Sequence, residues 1–73
     1  MTVRQYAQNL TEGEYGDMVL EIVENNSMFS RTMYRTAEVA CRMPWLDTKE
    51  VVDVRGFNTV TNSTTLIIRG ITA

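Results

Sequence analysis

The chain has 73 residues, 44% of them apolar and 22% charged, and carries a net charge of −2. A domain of this size buries only about 60% of the surface that its unfolded chain exposes, so its core is marginal and a partner is expected to add stability. One cysteine (Cys41) excludes an intrachain disulfide and fits a reducing compartment, and the lack of histidine leaves no Ser-His-Asp or Cys-His pair and no zinc ligand set. A non-catalytic protein without metal or cofactor is the expectation.

In chain order, Thr2 with Gln5 has capping-box spacing ahead of Val3, Tyr6, Ala7 and Leu10, the apolar face of a short first helix. Thr11 with Glu14 repeats that spacing. Tyr15, Met18, Val19, Ile22 and Val23 follow at helical intervals and predict a helix over about 12–24. Glu14, Asp17, Glu21 and Glu24 form its opposite, solvated face, and acids in a first turn suit the helix dipole. Asn25 and Asn26 end it. A further periodic segment predicts a helix over about 28–43. Phe29, Met33, Ala37, Ala40 and Cys41 share one face, and Arg31, Arg35, Glu38 and Arg42 fall on a separate stripe. Arg35 and Glu38 are spaced to pair. Pro44 stops this helix.

WLDTKEVVDVRGF, from Trp45, has two readings. Asp47 with Glu50 and a terminal Gly56 suit a capped helix. Val51, Val52 and Val54, alternating in part with Asp53 and Arg55, suit a strand. An echo favours the strand: Val54-Arg55-Gly56-Phe57 returns as Ile68-Arg69-Gly70-Ile71 within TTLIIRGIT. The two segments read as arms of a hairpin over about 50–71, with Asn62-Ser63 as its turn. The expected fold is therefore α+β: a single domain, 1–73, of two or three helices packed on a C-terminal antiparallel β-hairpin.

Consecutive Leu66, Ile67 and Ile68 point to both faces of that hairpin, and its edges carry unpaired backbone groups. A third strand, a second subunit, or a partner accepting the edge is expected to cover it. Charge is uneven as well. Residues 1–26 hold one cation against five acids, and residues 27–73 hold six against four, an asymmetry that orients a molecule on a polar target. Arg31, Arg35, Arg42, Trp45, Arg55 and Arg69 are the candidate contacts with a larger protein. No apolar run reaches the roughly 18 residues of a membrane span, and MTVRQYAQNL lacks the apolar stretch of a signal peptide. A soluble, cytoplasmic chain is expected.

Over residues 36–56 the chain resembles a helix-turn-helix: TAEVACRM as first helix, PWLD as turn, TKEVVDVRG as second. With a leading helix and the hairpin, residues 12–71 resemble a winged helix. That resemblance implies DNA binding with Thr48, Lys49 and Arg55 facing the duplex. In size, class and charge pattern the chain also resembles small bacteriophage proteins that bind host RNA polymerase, the transcription modulators and antiterminators. This resemblance implies a regulator acting in the host cytoplasm by docking on the polymerase. A homo-oligomeric virion or assembly subunit is the third expectation.

Overall fold

The computed structural model describes residues 1–26 and 28–70. Helix α1 (Val3–Glu12) opens the chain. The Thr2 side chain accepts from the Gln5 amide at 3.1 Å, and Gln5 Oε1 accepts from the Thr2 amide at 2.9 Å. This capping box satisfies two donors of the first turn. The helix stops in a Schellman-type turn, in which the Tyr15 amide donates to the Leu10 carbonyl at 2.7 Å and the Glu14 amide to the Thr11 carbonyl at 3.2 Å.

Glu14 takes φ 68° in that turn, a left-handed conformation costing a residue with a Cβ roughly 1–2 kcal/mol. Glycine relieves this strain but loses roughly 0.5–1 kcal/mol through its freer unfolded chain. Glu14→Gly is therefore expected to raise stability by about 0.5 kcal/mol. The measurement is a higher urea midpoint at unchanged slope; a lower midpoint would contradict the assignment of Glu14 as the stop.

β1 (Val19–Asn25) and β2 (Ser30–Thr36) form one antiparallel hairpin, and β3 (Lys49–Asn58) and β4 (Ser63–Gly70) form a second. β4 pairs in parallel with β1, giving a four-stranded mixed sheet of order β2-β1-β4-β3. Asparagines shape both turns. Asn26 Oδ1 accepts from the Met28 and Phe29 amides, and Asn58 Oδ1 from the Val60 and Thr61 amides. β3 is bulged twice, between Val51 and Asp53 and between Arg55 and Asn58. Gly56 opens the second bulge at φ 66°, an angle that favours glycine.

Between the hairpins lie α2 (Ala37–Ala40) and a 3-10 turn (Pro44–Thr48). Strand alternation sends Leu20, Ile22, Leu66 and Ile68 to one face of the sheet, where they are buried. Above them pack Val3 and Ala7 of α1, Ala37 and Ala40 of α2, and Leu46 of the 3-10 turn. Each large aliphatic side chain buried in this way contributes about 1.5–3 kcal/mol. The amino end is tied to β3: the Val51 amide donates to the Met1 carbonyl at 2.9 Å, and Thr2 bridges Glu50.

This architecture corrects the expected one of two or three helices on a hairpin. The predicted helix over 12–24 is the end of α1, a turn and β1. Its apolar positions satisfy both periods, and branched Val19, Ile22 and Val23 choose the strand. The predicted helix over 28–43 is β2 followed by four helical residues, because Thr32, Tyr34 and Thr36 suit a sheet. TKEVVDVRG is the end of the 3-10 turn and most of β3, so the helix-turn-helix lacks its second helix, and the described residues form no winged-helix arrangement. The C-terminal strand is also not left for a partner to shelter. It lies between β1 and β3, with Leu66 and Ile68 in the core. Residue 71, at the end of the expected hairpin, lies outside the described residues.

Candidate functional site

Three surfaces gather chemistry. The first is the sheet face opposite the helices. Val23 and Ile67 stand side by side at its centre in parallel register; Glu21 and Thr65 form the next row, and Val19 and Tyr34 are exposed on the same face. The ion pairs Arg69–Glu50 at 3.0 Å and Arg55–Asp53 at 2.8 Å border it on the β3 side. On the β2 side Tyr34 lies across from Glu21. The negative charge of Glu21 raises the Tyr34 hydroxyl above its ordinary value of 10.0, so Tyr34 presents a neutral hydroxyl at physiological pH.

The second is a charged cluster at one end of the covered face. Glu24 is 3% exposed. Its Oε2 accepts from Lys49 Nζ at 2.7 Å, and its Oε1 from Arg31 Nε at 3.0 Å and from the second guanidinium nitrogen at 2.9 Å. The Lys49 hydrogen bond is the largest influence and holds the carboxyl below its ordinary value; burial pushes the other way and is outweighed. The Arg31 guanidinium also lies 5.5 Å from the Phe29 ring centre and 5.4 Å from that of Trp45, within cation–π range. One carboxylate thus links both edge strands through β1.

The third surface is the pair of sheet edges. β3 is guarded by its two bulges and by the Thr2 bridge. β2 has neither device, and of its residues only Met33 and Thr36 are even partly buried.

The predicted contact residues do not form one patch. Arg55 and Arg69 border the open face. Arg31 and Arg35 share the helix side of β2, two positions on either side of the register partner Met33–Ile22. Trp45, 37% exposed, packs on Arg31. Arg42 pairs with Glu38 at 3.0 Å, which leaves Arg35 to donate to the Tyr34 carbonyl. Of the residues assigned to DNA, Thr48 donates to the Trp45 carbonyl within the 3-10 turn, Lys49 is committed to Glu24, and Arg55 to Asp53; they share no recognition helix. The sequence reading missed Val23 and Tyr34 as surface and Glu24 as a buried ion; it did place Leu66, Ile67 and Ile68 on both faces of the hairpin, and Ile67 is the one on the open face. Period-two alternation in VLEIVE was the available signal, hidden by the equally good helical spacing.

Six of the seven Lys and Arg residues are in ion pairs within the chain; among the described residues only Arg35 is not. Thr64 Oγ1 is a buried side-chain oxygen without a hydrogen-bond partner among the described residues, and it belongs to the core. Among those residues there is no cavity, no group of His, Cys, Asp and Glu placed to hold a metal, and no helix long and apolar enough to cross a membrane. No protein family, curated protein or solved structure matches the chain.

Proposed function

We propose that the chain is a non-catalytic regulatory domain that docks on a larger protein through the open face of its sheet. The observation that carries this reading is the make-up of that face: an apolar pair, Val23 and Ile67, at its centre, exposed Val19 and Tyr34 across Glu21 from it, and ion pairs along the β3 side. Apolar centre and polar rim is the common anatomy of a protein interface, and tyrosine is enriched among residues that carry binding energy.

Size adds a constraint. Four strands about 4.8 Å apart and about seven residues long present roughly 450 Å². A stable interface takes about 800 Å² from each partner, so an adjoining surface must contribute. The β2 edge is contiguous with Tyr34 and supplies it. Host RNA polymerase, which the bacteriophage resemblance names, is the first partner to test.

Immobilised domain, wild type beside Tyr34→Ala, is incubated with purified bacterial RNA polymerase and with bacterial lysate. Tyr34 is more than half exposed, so the variant keeps its thermal transition. A bound protein retained by the wild type and lost by the variant is expected. Equal retention by both overturns the reading. So does a dimer buried on the open face, or binding of random duplex DNA with a steep salt dependence.

A further inference from the structure

The free edge of β2 specifies the chemistry of what docks there. Two hydrogen bonds fix the strand's orientation: the Asn26 amide donates to the Phe29 carbonyl, and the Ala37 amide to the Met18 carbonyl. Odd-numbered residues of β2 therefore turn their backbone groups toward β1. Ser30, Thr32 and Tyr34 turn theirs away from the sheet. β2 ends the strand order, and nothing among the described residues pairs with it on that side. The other edge strand carries bulges and a bridge; β2 is guarded only by the charges of Arg31 and Arg35, which leave it open to a strand that answers them.

Side chains select the strand. On the helix side β2 presents Arg31, Met33 and Arg35, with about 13 Å between the two arginine positions. β1 answers the first with Glu24 and the second with Ile22, but opposite Arg35 it places Leu20, which is buried. Arg35 folds back instead onto the Tyr34 carbonyl at 2.7 Å, one of the outward-facing acceptors. Among the lysines and arginines of the described residues it is the one without a carboxylate.

Resting on the docking reading above, we infer that the partner contributes an extended acidic segment that adds to β2 as a fifth strand. Its carboxylates lie opposite Arg35 and Arg31, with an apolar residue between them opposite Met33. Arg35 leaves the Tyr34 carbonyl for the incoming carboxylate, and the carbonyl accepts from the incoming backbone amide. A second copy of β2 fits less well. Antiparallel pairing centred on Met33 sets Arg31 against Arg35 twice, and like charges directly opposite are destabilising.

The test is an NMR titration with a blocked nine-residue peptide of threonines, carrying valine at the centre and glutamate two positions to either side. Its lysine counterpart is the control. The expected result is saturable shifts at the Ser30, Thr32 and Tyr34 amides, with the glutamate peptide bound about fivefold more tightly. Arg35→Glu, at an exposed position, reverses that preference. Equal binding of the two peptides, or shifts confined to other elements, overturns the inference, as does a concentration-dependent dimer formed through β2. If the peptides fail while Tyr34→Ala still loses the captured partner, the docking reading stands and the acidic strand alone falls.

Discussion

Glu24→Ala lowers the stability of the domain by about 3 kcal/mol. Removing one member of a buried pair costs roughly 3–5 kcal/mol, because the partner is left charged and poorly solvated. Here the two partners differ. The Arg31 side chain is 51% exposed and recovers water; that of Lys49 is 18% exposed and does not. The loss therefore sits at the lower end of the range and is mainly that of Lys49. With roughly 0.05–0.15 kcal/mol of stability per residue, 3 kcal/mol is a large share of the total. Chemical denaturation measures it, and Glu24→Met with Lys49→Met in one chain recovers most of it, since a buried pair replaced by apolar groups of similar volume is often neutral. A single variant within about 0.5 kcal/mol of wild type would mean that the carboxylate is not buried as described.

The same group gives a pH signature. A carboxyl whose folded value is lowered binds protons more weakly in the folded chain than in the unfolded one. Its contribution is complete above the ordinary value of 4.5 and is lost as pH falls through the lowered folded value. The stability gap between wild type and Glu24→Gln is thus widest near neutrality and narrows below about pH 4.5. A gap that widens in acid would reverse the assignment.

Leu46→Ala is the second large effect, at about 3 kcal/mol. Leu46 is fully buried and belongs to the core cluster. It sits in a short 3-10 turn tied on both sides, through Arg4–Asp47 at 2.9 Å and the Thr48–Trp45 hydrogen bond. A turn so held cannot settle into the vacated space, and leucine-to-alanine losses of roughly 2–5 kcal/mol rise with the cavity left behind. Trp45→Ala is expected to cost about 1 kcal/mol, since the ring is partly exposed and mainly covers Arg31. Thermal or urea unfolding of the two variants side by side checks the ranking. If the tryptophan variant were the weaker protein, the aromatic ring and not the leucine would be the plug of this end of the core.

The parts of the fold that were legible are those in which one local rule acts without a rival. Thr2 and Gln5 cap α1 as their spacing says, and Val3, Ala7 and Leu10 face inward as their period says. Ser63–Gly70 is rich in residues that only a sheet suits. β1 was illegible because Met18, Val19, Leu20, Ile22 and Val23 satisfy periods of two and of 3.6 together. The apparent cap at Thr11–Glu14 deepened the error, since the same turn chemistry closes α1 instead of opening another helix. Of the arginine stripe, Arg31 and Arg35 do share a side, because a spacing of four keeps the face in a strand as in a helix, while Arg42 lies beyond β2 and pairs with Glu38. The buried role of Glu24 depends on Lys49, 25 residues away, and no spacing rule reaches that far. Of the candidate site, the individual charges at Arg31, Arg35, Arg55 and Arg69 could be named, but not their grouping, which follows from the sheet order.

The parallel register of β1 with β4 has a temporal meaning. Val19 stands beside Ser63, and Glu24 beside Ile68, so the two central strands are separated by most of the chain. During synthesis β1 emerges early and must wait, its inner neighbour still unmade, until the later hairpin leaves the ribosome. Distant pairing of this kind slows folding relative to local helical contacts. The nascent amino-terminal half has no finished core of its own to fall into, and the whole domain forms in one late, cooperative event.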